Sequence, residues 1–303
     1  MSVDIKKIGT EQRNSNTMNI DMLSTLEIVK KINEEDKTVA YAVEKASDQI
    51  ANLVDEIVKA FHKDGRLIYM GAGTSGRIGI LDAVECRPTY SVDDEMVQCL
   101  MAGGMGAMTK AVEGAEDSKE MAIDDLKKID LTENDIVVGI AASGRTPYVI
   151  GGIEYAKKIG AVTGGITTSP NSELAALVDF PIEAITGAEP VTGSTRMKSG
   201  TAQKMICNIL STSAMIKMGK VYENLMIDLQ PTNLKLVKRA QNIVMQATNV
   251  TEEVAQKHID KFGTVKKAIF AILTGVEDIK TVNSYLEESK GHLRNALKEY
   301  KND

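Results

Sequence analysis

Hydrophobic residues along the chain adopt a helical period after a polar stretch that has none. Residues 1–21 are polar and predict an extended arm, and helical periodicity starts near Met22. The pattern is strongest over 39–62, where apolar side chains recur at helical spacing. One stripe of this predicted helix carries Ile50, Leu53, Val54, Ile57 and Val58. We therefore expect residues 1–40 to form an N-terminal arm and a first helix.

Short apolar runs follow, and each is succeeded by Gly, Ser or Thr and then by a helical stretch. The runs are Arg66–Met70, Met96–Met101, Ile136–Ile140, Ala161–Ile166 and Phe180–Ile185. Alternation of short strands with helices is typical of a parallel sheet covered by helices on both faces. We therefore predict an α/β fold, with a doubly wound parallel five-stranded sheet over residues 41–235.

A long helix is predicted at Met197–Met218, and strand signals vanish from about Leu234 onward. From Leu234 onward, amphipathic helices follow one another with glycines between them, and Thr251 has the sequence context of a helix cap. The stretch 240–303 is therefore predicted to be a small C-terminal helical domain.

The amino-acid composition and charge indicate which kinds of binding partner to expect. With 43% hydrophobic residues the chain can bury a large core, and its net charge of −6 comes from interspersed acids and bases. This balance argues against nucleic acid and against an acidic membrane surface as partners. No signal peptide and no apolar run of bilayer length is visible, so we expect a cytoplasmic protein without membrane contact.

Cysteine and histidine are too few and too scattered to predict a disulfide frame or a zinc site. They are Cys86, Cys99, Cys207, His62, His258 and His292. Cys86 follows Glu85 but has no visible histidine partner, so we interpret it as a packing residue. We therefore expect chemistry without a metal or a cofactor.

The loop after the first predicted strand, Gly71–Arg77, matches the GxGxxG pattern of dinucleotide-binding folds. In those folds an acid at the C-terminal end of the second strand holds the ribose. Here the acids at 93–95 precede the second strand, and Thr74 and Ser75 occupy the variable positions of the loop. Hydroxyls at those positions favour direct contact with a phosphate over dinucleotide binding.

Hydroxyl-bearing loops of this kind occur twice more. The third strand ends in Ala141–Pro147, which repeats the Ser-Gly-Arg of 75–77, and Thr192–Arg196 opens the long helix. In a parallel sheet such loops meet at the carboxyl edge, where hydroxyls and helix N-terminal amides bind anions. For any single loop, helix capping by Ser or Thr is the alternative interpretation. Three loops in succession predict a phosphate site, and the lack of a P-loop lysine suits a small phosphosugar.

These loops resemble the SIS fold of sugar isomerases. More narrowly, they resemble the N-acetylmuramic acid 6-phosphate etherase family, which is related to the glucokinase regulatory protein. The resemblance extends over nearly the whole chain and also includes Thr10–Asn14, Ile80–Cys86 and Ala111–Ser118. It implies a cytosolic homodimer that recycles cell-wall sugar, releasing D-lactate and N-acetylglucosamine 6-phosphate. It also implies a small, UBA-like C-terminal domain.

The resemblance implies particular site residues as well. Matched to the phosphate-binding loops of SIS isomerases, Ser75, Ser143 and Thr146 are the implied phosphate ligands, with Thr74 beside them. Ala141 stands where those isomerases usually have a serine. We therefore expect Ser194 or Thr195 to supply part of the phosphate contacts.

Cleavage of a lactyl ether on C3 makes two demands. In the open-chain aldehyde the C2 proton is acidic, so elimination needs a base at C2 and an acid at the ether oxygen. Two carboxyls in different protonation states serve both roles without a metal. From the residue pattern alone, Glu116 is predicted on a helical stretch with Glu113 and Glu120, where a solvated face is the commoner role. The resemblance implies instead Glu85 as proton donor and Glu116 as the second active carboxylate, and the chemistry assigns Glu116 as the C2 base.

Two other functions remain open from the sequence. A phosphosugar isomerase uses the same fold and a similar proton transfer, and lactate release separates the two. A non-catalytic phosphosugar sensor is the second alternative, as the glucokinase regulatory protein suggests. Such regulators usually have duplicated phosphosugar domains or a separate partner-binding module, and this chain has no basic recognition helix.

Overall fold

The computed structural model describes residues 9–110, 112–229 and 234–302, which form two compact units. One unit is built from the described residues up to Val84 together with those of Asp94–Ser211. The other is built from Glu85–Asp93 and the described residues from Thr212 onward. Residues 1–8 of the predicted arm lie outside the described residues. The sequence-based domain boundaries, 41–235 and 240–303, stay a prediction.

The first unit contains a five-stranded sheet in which all strands are parallel and the order is β2-β1-β3-β4-β5. The strands are β1 Leu67–Gly71, β2 Val97–Met101, β3 Ile136–Ile140, β4 Val162–Thr167 and β5 Phe180–Glu183. Every residue of β1 and β3 is buried, because helices cover both faces of these central strands. The predicted doubly wound parallel sheet is confirmed.

Among the described residues, seven α-helices belong wholly or in part to this unit. They are α1 Thr25–Glu44, α2 Ser47–Phe61, α3 Gly73–Tyr90, α4 Lys119–Lys128, α5 Pro147–Ile159, α6 Glu173–Leu177 and α7 Lys198–Lys217. On one face of the sheet, Ile68 and Met70 of β1 pack in a buried cluster with side chains of α4 and α5. On the other face, the Tyr69 hydroxyl donates to Asp82 of α3 at 3.0 Å. The helices that follow β1 and β3 therefore lie on opposite faces.

The first turn of α3 approaches the end of β1 very closely. A Cβ on Gly76 would lie 2.7 Å from the carbonyl oxygen of Gly71, so no other residue fits there without displacement. This contact explains the third glycine of the Gly71–Arg77 loop. It brings Thr74 and Ser75 to the carboxyl edge of the sheet.

The second unit is helical, with one short antiparallel hairpin. Its elements are β6 Val221–Tyr222, β7 Leu225–Met226, α8 Leu234–Thr248, α9 Glu252–Phe262, α10 Val265–Thr274, α11 Ile279–Glu288 and α12 Leu293–Asn302. Phe270 lies at the centre of its core and contacts the rings of Tyr285 and Tyr300. The predicted cap is confirmed, since the Thr251 side chain accepts a hydrogen bond from the Val254 amide.

In the ranges that the structure describes, none of the helices combines the length and the apolar character needed to cross a membrane.

Candidate functional site

A crevice forms at the carboxyl edge of the sheet, between the ends of β1 and β3. These neighbouring strands continue into helices on opposite faces, so the two loops diverge and leave space between them. Open α/β sheets bind ligands at such a switch point. The N-termini of α3 and α5 both begin there, and their amides are suited to an anion.

A cleft of about 480 Å³ occupies this position. Its walls come from the loops after β1 and β3, from the loop before α7, from a turn before α4 and from the N-terminal arm. The lining residues are Thr10, Glu11, Ala72, Gly73, Thr74, Ser75, Glu116, Asp117, Ala142, Ser143, Arg145, Thr146, Pro147 and Thr195. The three hydroxyl loops identified in the sequence therefore meet in one cleft.

Most of the predicted site residues line this cleft. Those that do are Thr74, Ser75, Ser143, Thr146, Thr195 and Glu116. Ser194 and Glu85 are not among the lining residues. Of the two residues expected to supply further phosphate contacts, Thr195 therefore lines the cleft and Ser194 does not.

Capping does not account for the hydroxyl at the start of α5. Thr146 occupies the N-cap position, but its side chain makes no capping hydrogen bond. At α4 and α6, by contrast, the side chains of Ser118 and Ser172 accept from backbone amides within their helices. The Thr146 side chain therefore lines the cleft in a position where a ligand can use it.

Ser75 has a specific partner inside the protein. Its hydroxyl lies 2.8 Å from Gln203 Oε1 on α7, and both side chains are buried. Within the described residues, Gln203 Nε2 is a buried amide nitrogen with no hydrogen-bond partner.

The two Ser-Gly-Arg repeats place their arginines differently. Arg77 donates from Nε to the carbonyl of Met108 at 3.1 Å and from Nη2 to that of Ala107 at 2.7 Å, so it holds the segment after β2. Arg145 is exposed and lines the cleft beside Ser143. The cleft therefore also contains a cation, whereas the sequence predicted only neutral hydroxyls and amides as phosphate ligands.

The local structure around Glu116 differs from the sequence prediction. Glu116 lies in a short 3-10 turn, Ala115–Asp117, and α4 begins only at Lys119. The predicted helical stretch with Glu113 and Glu120 is wrong, because Gly114 adopts a left-handed conformation with φ 73° and interrupts it. This turn brings the exposed Glu116 carboxylate into the cleft instead of placing it on a solvated helix face.

Glu116 also borders a second cavity of about 230 Å³. The two spaces share Ala72, Gly73 and Glu116 in their walls. The second cavity extends along Arg77, Val112 and Glu113 among others. The carboxylate of Glu116 therefore stands where the hydroxyl-lined cleft joins a neighbouring space.

Glu85 lies on α3, ten residues beyond Ser75, which corresponds to about 15 Å along the helix axis. Its side chain is exposed. It lies one turn beyond Leu81 and next to Val84, apolar side chains that are 50% and 60% exposed and are themselves three residues apart. Exposed apolar side chains grouped on one helix face form a candidate contact surface.

A buried ion pair fixes the loop before α7 and the arm. Lys198 Nζ lies 2.9 Å from Glu35 Oε2, and the side chains are 5% and 7% exposed. Asn14 and Asn16 of the arm each donate from Nδ2 to Glu35 at 2.7 Å. Burial raises the pKa of the Glu35 carboxyl, but the hydrogen bonds from Lys198, Asn16 and Asn14 outweigh it and leave that pKa below its ordinary value.

A second carboxylate stabilises the start of α7 directly. Glu189 accepts hydrogen bonds from the backbone amides of Lys198 at 2.8 Å and Ser199 at 2.9 Å. Negative charge at a helix N-terminus is favourable, and here it satisfies amides that have no partner inside the helix. The loop that contributes Thr195 is therefore held by contacts outside the cleft.

Among the described residues, no group of three or more His, Cys, Asp or Glu side chains is arranged to hold a metal ion. Burial, together with the charge of Asp82, raises the pKa of the Cys99 and Cys207 thiols. Cys86, interpreted as a packing residue, is 3% exposed.

Several residues in or beside the cleft could not be identified from the sequence. Arg145 belongs to the repeated Ser-Gly-Arg motif, and the repetition alone did not assign it a role. Thr10 and Glu11 lie in the arm, far in sequence from the loops that they meet. Gln203 lies inside a helix, where no local pattern indicates that it contacts Ser75.

The fold and the three converging hydroxyl loops define a SIS-domain protein. Residues 106–213 match the SIS domain family, and residues 49–157 match the glucokinase regulatory protein N-terminal SIS domain. A solved structure from Bacteroides fragilis, a candidate phosphosugar isomerase involved in capsule formation, is similar in fold with a TM-score of 0.50. It is 24% identical and covers 66% of this chain and 95% of its own.

Two curated relatives are similar over almost the full length. The N-acetylmuramic acid 6-phosphate etherase of Clostridium botulinum is 54% identical over 299 residues, which is 98% of this chain and 99% of that protein. The enzyme of the same name from Bacillus cereus is 52% identical over 97% of this chain and 100% of its own. The chain belongs to the N-acetylmuramic acid 6-phosphate etherase family.

Proposed function

We propose that the protein is a carbon–oxygen lyase that cleaves the D-lactyl ether of N-acetylmuramic acid 6-phosphate. The products are D-lactate and N-acetylglucosamine 6-phosphate, and the role is recycling of cell-wall sugar. The observation that carries the proposal is the 54% identity over 98% of the chain to an etherase. The cleft supports it, because hydroxyls from three loops converge there with the carboxylates of Glu11, Glu116 and Asp117.

The phosphate of the substrate binds among the hydroxyl loops. Ser75, Ser143, Thr146 and Thr195 line the cleft near the N-termini of α3 and α5, where helix dipoles favour an anion. Thr74 belongs to the same wall. Arg145 adds a positive charge that a phosphate dianion can use.

The reaction proceeds through the open-chain aldehyde by elimination and hydration. Glu116 removes the C2 proton, and Glu85 donates a proton to the ether oxygen as the C3–O bond breaks and D-lactate leaves. Water then adds its oxygen to C3 of the unsaturated aldehyde, while a proton returns to C2. All atoms balance without an oxidant, a reductant or a metal.

The assignment of Glu85 requires a second copy of the chain. Glu85 stands about 15 Å along α3 from Ser75, so it is poorly placed for a sugar bound at its own hydroxyl loops. Its exposed apolar neighbours on α3, Leu81 and Val84, supply the contact surface for a homodimer. In that dimer Glu85 serves the cleft of the partner subunit.

The cytoplasm is the proposed location. The described cysteines Cys86, Cys99 and Cys207 are all free thiols, as is usual in a reducing compartment. The proposal needs no partner other than the phosphosugar and a second copy of the chain.

The test is a lactate assay with purified protein and N-acetylmuramic acid 6-phosphate, with EDTA present and NAD absent. We expect D-lactate and N-acetylglucosamine 6-phosphate in equal amounts. Interconversion of phosphosugars without lactate would indicate an isomerase. Binding of phosphosugar without turnover would indicate a sensor. Activity that disappears with EDTA and returns with a divalent ion would contradict the metal-free mechanism.

A further inference from the structure

Glu11 of the N-terminal arm lies in the substrate cleft, and the reaction described above does not use it. Its carboxylate stands against the loop before α7, because a Cβ built on Gly193 would be 3.1 Å from Glu11 Oε2. Glu11 and Glu116 both line the 480 Å³ cleft. One chain's cleft therefore holds a carboxylate from the arm in addition to those of Glu116 and Asp117 in the turn before α4.

The arm is anchored on both sides of Glu11. Thr10, immediately before it, is 1% exposed, and Asn14, three residues after it, is 8% exposed. Asn14 donates to Glu35 at 2.7 Å and to the carbonyl of Ala188 at 3.2 Å, and the Thr17 hydroxyl donates to the carbonyl of Pro190 at 2.8 Å. Glu11 itself is exposed. A short segment with buried anchors thus holds one charged side chain at the cleft in advance of binding.

We propose that Glu11 is a specificity-determining residue that accepts a hydrogen bond from the sugar. The inference rests on the proposed function, in which the phosphate is held by the hydroxyl loops. A carboxylate repels phosphate but accepts readily from neutral donors, and an amino sugar offers hydroxyl and acetamido N–H donors. Glu11 therefore recognises the sugar and not its phosphate.

Calorimetry with two ligands tests whether Glu11 binds the sugar while the hydroxyl loops bind the phosphate. Glu11→Gln keeps the size of the side chain and removes its charge, so we expect N-acetylglucosamine 6-phosphate to bind at least about tenfold more weakly. Inorganic phosphate should bind Glu11→Gln as well as the wild type or better, because a negative charge has left the cleft. Ser143→Ala should weaken both ligands. Arg13→Ala, in the same arm but outside the cleft lining, is the matched control and should bind both normally.

The outcomes separate this inference from the proposed function. If the wild type binds the sugar phosphate and releases lactate while Glu11→Gln binds both ligands normally, Glu11 has no role in recognition. An equal loss for both ligands in Glu11→Gln would also overturn the inference, since it would place the effect at the phosphate. If the wild type neither binds the sugar phosphate nor releases lactate, the proposed function itself is wrong.

An independent observation concerns Gln203, whose buried Nε2 lacks a partner while its Oε1 accepts the only proton of the Ser75 hydroxyl. Rotating the amide by half a turn exchanges its nitrogen and oxygen. Nε2 then donates to Ser75 Oγ, and the Ser75 proton becomes available to the cleft. The exchange pairs a buried N–H and leaves a carbonyl oxygen unpaired, which is the less costly of the two. It is favourable when an anion is bound, because the anion then accepts the proton of the Ser75 hydroxyl.

We infer that Gln203 is a positioning residue that orients the Ser75 hydroxyl toward the bound phosphate. The two side chains then act as one unit on the affinity for anions. Gln203→Met keeps a similar length and removes the amide, so it should weaken binding of inorganic phosphate severalfold. If Gln203 had only a structural role, the loss of phosphate affinity in Gln203→Met would not depend on whether Ser75 is present.

A double-mutant cycle measures whether the effect of Gln203 depends on Ser75. Ser75→Ala should weaken phosphate binding at least about tenfold, and adding Gln203→Met should cause little further loss. Melting temperatures of all variants show whether the fold is intact. Additive losses in the double variant, or normal binding by Gln203→Met, would overturn the role of Gln203. Normal binding by Ser75→Ala would remove Ser75 from the phosphate site and this inference with it.

Discussion

Lys198 donates to Glu35 at 2.9 Å, and this buried ion pair joins α1 to the start of α7. Asn14 and Asn16 of the arm bond to the same carboxylate. One charged group thus connects the arm, the first helix and the loop that carries Thr195. The cleft depends on it, since both the arm and that loop line the cleft.

Removing the charge of Glu35 should destabilise the protein strongly. Glu35→Gln leaves the Lys198 ammonium buried without its counter-charge, and we expect a loss of about 3–5 kcal/mol in the free energy of unfolding. Glu34→Gln is the matched control, because Glu34 is 61% exposed and pairs only at the surface with Lys31. Denaturant unfolding of the three proteins measures the difference.

The difference in the free energy of unfolding between wild type and Glu35→Gln should depend on pH in one direction. The pKa of Glu35 in the folded protein lies below its ordinary value of 4.5, so its stabilising effect is present above that value. The effect is lost as pH falls through the folded-state pKa. The gap between wild type and Glu35→Gln should therefore shrink in acid. A gap that widens below pH 4.5 would contradict the assigned interaction.

Ser143 should contribute to phosphate affinity. It lines the cleft in the loop after β3, and loss of a hydrogen bond to a charged group costs about 1–3 kcal/mol. Calorimetry of Ser143→Ala with N-acetylglucosamine 6-phosphate measures this loss, with Ser284→Ala on α11 as the control. Unchanged affinity in a folded Ser143→Ala protein would remove Ser143 from the site.

Glu85 and Glu116 should be separable by isotope exchange. Glu85→Gln should still exchange the C2 proton with deuterium oxide while losing lactate release by about a hundredfold or more, roughly 2.7 kcal/mol of barrier. Glu116→Gln should lose both activities, because no base remains at C2. Glu120→Gln on α4, outside the cleft lining, serves as the control. Exchange in Glu116→Gln but not in Glu85→Gln would mean that the roles are reversed.

Mixed dimers test whether Glu85 acts on the cleft of the partner subunit. Neither Glu85→Gln nor Glu116→Gln should release lactate alone, but a heterodimer has one cleft with both carboxylates intact. Random mixing should therefore restore about a quarter of wild-type activity. Glu116→Gln mixed with Ser143→Ala is the control and should show no more activity than the average of the two proteins alone, since each chain then carries a change in its own cleft. No recovery in the first mixture would place both carboxylates in one subunit.

Local patterns predicted the sheet well because parallel strands buried on both faces are continuous apolar runs. The run predicted at Ile136–Ile140 coincides with β3, and that at Met96–Met101 differs from β2 by one residue. The cap at Thr251 follows from the same local chemistry. The gathering of the hydroxyl loops follows from the parallel topology, which puts all strand ends at one edge.

Contacts between distant parts of the chain were beyond such reasoning. Glu35 and Lys198 are separated by 163 positions and Ser75 and Gln203 by 128, so no periodicity links them. The prediction of a helix at Glu116 was wrong for a different reason. Its spacing from Glu113 and Glu120 fits a helix, and only the backbone conformation of Gly114 reveals a turn.

In the proposed reaction, the ether is cleaved by elimination across C2 and C3 followed by addition of water. Turnover of N-acetylmuramic acid 6-phosphate in deuterium oxide enriched in oxygen-18, analysed by mass spectrometry and NMR, tests it most directly. We predict N-acetylglucosamine 6-phosphate with solvent deuterium on C2 and solvent oxygen on C3, and D-lactate that retains the original ether oxygen. Solvent oxygen in the lactate, or a product that keeps the original C2 proton in full, would contradict the account.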